Sequence, residues 1–230
     1  MNPVSRKNPK RSGPGPSKSS PGSRNAAMQL LQSLMRGDQQ LTVRIDEHLL
    51  TLTQATALAE QRAKAGQGRQ AEHIFNQLLA QATEWHREKR LDDAEAVYRQ
   101  VFEAEPSYID ALHLLGVIYS QRGDHQTAER LIRQALRENP TADTYHNNLG
   151  KALQALGRFE EAAASYQRTL ELNHSHVLAC NNLGKVFSEL KRWPEAVASF
   201  RRAVALRPDY AEARGNLEEA LRQQEFFNKP

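Results

Sequence analysis

The residues best suited to chemistry are two asparagines with a lysine one helical turn on. Asn147, Asn148 and Lys151 recur as Asn181, Asn182 and Lys185 in two copies of NNLGK, and Asn216 continues the second position of each pair. A carboxamide offers both a donor and an acceptor. Asn148, Asn182 and Asn216 in a row can therefore pair with the main chain of an extended polypeptide whatever its side chains, while Lys151 and Lys185 favour acidic groups nearby. At a net ~1 kcal/mol per bond, about six bonds give roughly 6 kcal/mol before ordering costs, so micromolar binding is the ceiling without further contacts. The alternative role for the same asparagines is to satisfy local backbone groups.

Catalytic signatures do not accompany them. The chain has no phosphate loop, no Gly-x-Ser-x-Gly elbow and no His-Glu-x-x-His pair, and Cys180 is its single cysteine. The acid pairs Glu160–Glu161 and Glu218–Glu219 read as solvated helix faces. His174, His176 and Cys180 bring together ligating atoms, but a structural zinc site takes four convergent ligands and Cys180 falls in an apolar slot. No metal, cofactor or enzymatic activity is expected.

The elements that must position the asparagines are set by a 34-residue period. Leu112, Leu115, Gly116, Tyr119, Ala128, Ile132, Ala135 and Pro140 recur as His146, Leu149, Gly150, Leu153, Ala162, Tyr166, Thr169 and His174. They recur again as Cys180, Leu183, Gly184, Phe187, Ala196, Phe200, Ala203 and Pro208. Antiparallel helices approach closely only where Gly or Ala removes bulk. Gly116, Gly150 and Gly184, facing Ala128, Ala162 and Ala196, are thus expected to be packing positions; a mid-helix Gly costs roughly 1 kcal/mol, so its repetition is not incidental. Gly123 and Gly157 close the first helix of their units. Lys191 and Arg192 replace that Gly in the next unit, with Pro194 in the following first turn.

This pattern resembles the tetratricopeptide repeat over residues 109–210. The resemblance implies an all-α, right-handed superhelical solenoid of helix-turn-helix repeats; a disordered basic N-terminal tail is expected before it from composition. Units are expected at 109–142, 143–176 and 177–210. A degenerate repeat is expected at 75–108, N-terminal helices forming another degenerate repeat at 26–74, and a capping helix and tail at 211–230. Leu41, Ile45, Leu49, Leu52 and Ala59 recur at helical spacing and predict one helix up to Ala65, broken at Gly66 and Gly68. Met28, Leu30, Leu31, Leu34 and Met35 form a short apolar stripe, either a docking helix or a linear motif for another protein.

The net charge of +4 is unevenly spread. Arg6, Lys7, Lys10, Arg11, Lys18 and Arg24 put +6 into residues 1–24 with no acid, leaving the rest at −2. That Pro-, Gly- and Ser-rich stretch of residues 1–25 cannot bury enough surface to offset ordering. No transmembrane segment and no secretory signal are evident, and one cysteine fits a reducing compartment, so a cytoplasmic location is expected.

The tract ALHLLGVIYSQRGDHQTAERLIRQAL with the two NNLGK units also resembles the arrays preceding the catalytic region in bacterial relatives of O-linked N-acetylglucosamine transferase and in repeat-bearing sulfotransferases. In the glycosyltransferases an asparagine ladder contacts substrate polypeptide, which implies that role for Asn148, Asn182 and Asn216. Repeat domains that clamp the carboxylate tails of heat-shock chaperones use Lys, Asn and Arg at places held here by His113, Val117, Asn148, Leu178 and Asn182; with one match, that clamp is disfavoured. The expected function is a non-catalytic scaffold whose concave groove binds a protein or peptide partner. Alternatives are a nucleic-acid or anionic-surface binder acting through the tail alone, recognisable by strong salt dependence, and an accessory subunit of a glycosyl- or sulfotransferase. The front of the array lacks a polar cap, which predicts an edge-to-edge homodimer.

Overall fold

A computed structural model of the protein describes residues 41–227. The basic residues Arg6 to Arg24 and the apolar stripe Met28–Met35 lie outside them. Among the described residues a two-stranded hairpin, β1 (Thr42–Ile45) and β2 (His48–Thr51), precedes ten helices. These are α1 (Leu52–Lys64), α2 (Gly68–Arg87), α3 (Leu91–Ala104), α4 (Ile109–Gln121), α5 (His125–Glu138), α6 (Asp143–Ala155), α7 (Phe159–Leu172), α8 (Val177–Glu189), α9 (Trp193–Leu206) and α10 (Ala211–Phe227). Successive helices pack antiparallel and stack into a right-handed superhelical solenoid around one continuous core.

The turns inside the helix pairs share one device. Lys89, Gly123, Gly157 and Lys191, each 34 residues from the next, have φ of 66°, 86°, 73° and 56°. The residue after each donates its N–H back to the preceding helix: Arg90 to Trp85, Asp124 to Tyr119, Arg158 to Leu153 and Arg192 to Phe187, at 2.8–2.9 Å. A left-handed residue at this point satisfies helix-terminal carbonyls and reverses the chain. Glycine does so without a Cβ clash, yet the two lysines adopt the same conformation.

Close packing between paired helices is equally periodic. A Cβ on Gly116 would lie 2.7 Å from Ile132 Cγ1, one on Gly150 2.7 Å from the Tyr166 ring, and one on Gly184 2.6 Å from the Phe200 ring. Ala128, Ala162 and Ala196 are fully buried opposite them. The large residues at 132, 166 and 200 fill the volume that each glycine vacates.

The single helix expected from Leu41 to Ala65 is corrected: its first part is the β-hairpin and only Leu52–Lys64 is helical. Val43 and Ile45 alternate with Thr42 and Arg44 and are buried, whereas Leu49 is exposed. Arg44 N–H donates to Gln81 Oε1 at 3.1 Å and Asp46 N–H to Gln77 Oε1 at 3.3 Å, so α2 pairs the outer edge of β1. The hairpin covers apolar surface of α1 and α2. The front on which an edge-to-edge homodimer was expected is thus partly covered by the chain's own hairpin.

Candidate functional site in the repeat ladder

Asn147, Asn148 and Lys151 lie on α6, Asn181, Asn182 and Lys185 on α8, and Asn216 on α10. Residues four apart share a helix face, so Lys151 stacks over Asn147 and Lys185 over Asn181. Between adjacent units the first position of one meets the second position of the next. Asn148 Nδ2 donates to His113 Nε2 at 3.0 Å, and Asn216 Nδ2 donates to Asn181 Oδ1 at 3.0 Å. These are the outer two of three equivalent rungs.

The first rung is closed by the buried His113, which the sequence placed only at a position of the chaperone-tail clamp. His113 stacks on Tyr145 with centroids 4.1 Å apart, and the Tyr145 hydroxyl bonds the Asp110 carboxylate. Because an amide N–H₂ can only donate, His113 Nε2 must be the acceptor, which fixes the neutral tautomer. Burial pushes the His113 pKa down to about 4, against the opposing field of Asp110. Asn148 Oδ1 accepts from Asn147 at 3.4 Å, so Asn148 has partners on both sides.

The third rung is closed by a carboxylate. Glu212 accepts from Asn181 Nδ2 at 3.2 Å, from the Tyr210 hydroxyl at 3.1 Å and from Lys185 Nζ at 3.3 Å. Burial pushes the Glu212 carboxyl up, but the bonds from Asn181, Tyr210 and Lys185 outweigh it and hold it below the usual range. Asn181, Asn216 and Lys185 are therefore engaged within the chain.

The middle rung is open. By the same 35-residue rule Asn147 faces Asn182, yet Asn147 Oδ1 is buried with no partner, and Asn182 is half-buried with none among the described residues. The places of Glu212 and Tyr210 are held here by Leu178 and His176. Leu178 is 42 % exposed and offers no charge, so Lys151 lacks a counter-ion among the described residues. Although Lys151 is exposed as a residue, desolvation pushes its ammonium pKa down. Three polar groups with unfilled capacity thus share one interface.

The other ligating residues are engaged elsewhere. His176 Nδ1 accepts the Ala179 N–H at 3.1 Å, capping α8, while Cys180 is fully buried and its thiol pushed up by that burial. No helix among the described residues is long and apolar enough to cross a membrane.

Comparison with known proteins places these features in context. Two models of the tetratricopeptide repeat match residues 86–151 and 147–211. The crystal structure of MamA aligns with a TM-score of 0.53 at 20 % identity, covering 65 % of this chain and 97 % of that one. YrrB, described as a tetratricopeptide-repeat protein with an unusual peptide-binding site, aligns at 0.55 and 14 % identity over 70 % and 89 %. The first repeat domain of Spaghetti (RPAP3), bound to an HSP90 peptide, aligns at 0.50 and 21 % identity over 51 % and 93 %. No curated protein sequence matches the chain significantly. At these identities the likeness establishes the fold alone and does not show a relationship to transferase-linked arrays.

Proposed function

The chain belongs to the tetratricopeptide-repeat family, and from that premise we propose that it is a non-catalytic scaffold binding an extended partner polypeptide at the ladder of its first-in-pair helices. The open middle rung carries this reading. A buried acceptor without a partner is costly, about 1–3 kcal/mol, and an unpaired lysine beside it adds a charge to be met. Asn147 Nδ2 and Lys151 Nζ are the counterparts of Asn181 Nδ2 and Lys185 Nζ, which with the Tyr210 hydroxyl hold the Glu212 carboxylate in the third rung. The occupant that fits is a peptide segment bearing an aspartate or glutamate for Lys151, with a main-chain N–H donating to Asn147 Oδ1 and the rest of its main chain on Asn182. The peptide-bound Spaghetti (RPAP3) domain and the peptide-binding site of YrrB support such use of the fold.

Peptide display on the full chain tests it. Enriched sequences should carry an acidic residue at a constant place, and Asn182→Ala and Lys151→Glu should each weaken their binding about tenfold, near 1.4 kcal/mol. Equal binding by wild type and both variants, or enrichment without an acidic residue, would count against this site.

A further inference from the structure

A cavity of about 740 Å³ lies between the α1–α2 end of the array and the starts of α4 and α6, adjoining the first rung at Asp110 and Tyr145 and away from the open middle rung. Its lining carries four carboxylates, Glu72, Glu105, Asp110 and Glu138, and no lysine, arginine or histidine. None of the four has a cationic partner among the described residues. Several acids elsewhere find partners: Glu129 meets Arg133 at 2.8 Å and Arg158 at 2.6 Å, and Glu95 bonds Arg99 and Arg122. Phe75 and Tyr108, 5.2 Å apart, form an aromatic wall. Burial, with the charges of Glu72 and Glu105, pushes the Tyr108 hydroxyl up to about 12. Negative potential beside aromatic faces is an environment for a guanidinium or ammonium group.

We infer that this cavity receives the basic side chains of the chain's own residues 1–24. Charge complementarity selects that occupant, since those residues carry six cations and no acid while the lining carries only acids. Reach permits it. Leu41, where the described chain begins, is tied through its carbonyl to Leu52 N–H at 2.7 Å, at the start of α1. The cavity lies at the other end of that helix, beside Ala63 and Gly68, about 20 Å away along 1.5 Å per residue. Residues 25–40 span up to roughly 50 Å when extended. Docking there neutralises the cavity and withdraws the basic residues from other anions.

Carbodiimide coupling of the full chain tests the contact, because it joins an amine to a carboxylate only where the two touch. Peptides linking Lys7, Lys10 or Lys18 to Glu72, Glu105, Asp110 or Glu138 should dominate at low salt and fall about tenfold in 1 M salt. In an equal mixture of ¹⁵N-labelled and unlabelled protein they should stay within one isotope. Tail lysines coupled evenly to surface acids such as Glu160, Glu218 and Glu225, or links of mixed isotope, overturn the inference. As a second readout, changing all six basic residues to Gln in the full chain should shift the aromatic NMR signals of Phe75 and Tyr108 and leave Trp193 unmoved. Unchanged Phe75 and Tyr108 signals would also overturn it.

Discussion

The ammonium of Lys185 stands 3.3 Å from the carboxylate of Glu212, and this contact separates two otherwise identical stretches of sequence. Lys151 is the same residue one unit earlier, but the position 27 residues on from it is held by Leu178 instead. The ladder is therefore uneven. One rung is closed by an imidazole, one by a carboxylate, and the rung between them is open.

Supplying the missing acid should close it. Leu178→Glu places a carboxylate opposite Lys151 and Asn147, as Glu212 stands opposite Lys185 and Asn181. Because Leu178 is already partly exposed and the new pair is near the surface, urea unfolding should change by less than about 1 kcal/mol. Affinity for acidic peptides selected on wild type should fall at least tenfold. Retained affinity in the variant would show that the peptide sits elsewhere.

Acid should loosen the junction between α4 and α6. Folded His113 resists protonation down to about pH 4, whereas in the unfolded chain it takes a proton near 6.5. The unfolded state thus binds more protons in that window. Stability contributed by neutral His113 is fully present above about pH 6.5 and is lost as pH falls toward 4, by about 3 kcal/mol at most. Urea midpoints across this range should decline in wild type and decline less in His113→Gln.

Two glycine substitutions should act in opposite directions. Gly184→Ala drives a methyl to within 2.6 Å of the Phe200 ring and should destabilise by about 1–3 kcal/mol. Gly215→Ala, inside α10 with nothing within 4 Å of the new Cβ, should stabilise by up to about 1 kcal/mol through helix propensity. Thermal unfolding of the pair reads both signs.

Relieving a left-handed lysine should also help. Lys191 holds φ 56° at the place where Gly123 and Gly157 occur, so Lys191→Gly should raise stability by about 1 kcal/mol, or 2–4 °C in Tm. An unchanged or lower Tm would show that the strain is relieved elsewhere.

Much of the scaffold was legible because it is local. The spacing of Leu115, Gly116 and Tyr119, and the turn glycines 123 and 157, describe contacts within a helix or between neighbours in sequence. Lys89 and Lys191 kept the turn despite lacking glycine, since the flanking helices impose it. The hairpin was misread because Leu41, Ile45, Leu49 and Leu52 fit helical spacing, while the competing signal was the four-residue alternation Thr42-Val43-Arg44-Ile45. Gln77 and Gln81 on α2, more than thirty residues away, pair the edge of β1 and favour the strand.

The sequence by itself determined the 34-residue period, the helical repeats and the identity of the candidate ladder, because apolar spacing and turn residues act over one or two helical turns. Only the tertiary structure decided which of the repeated asparagines and lysines is open. Asn148, Asn181, Asn216 and Lys185 find partners on the first helix of an adjoining unit or on the capping helix, 27 to 35 residues away, and Asn147, Asn182 and Lys151 share the rung left unfilled. Identical residues diverge there because hydrogen-bond capacity is set by what the adjoining unit presents, and Leu178 presents none.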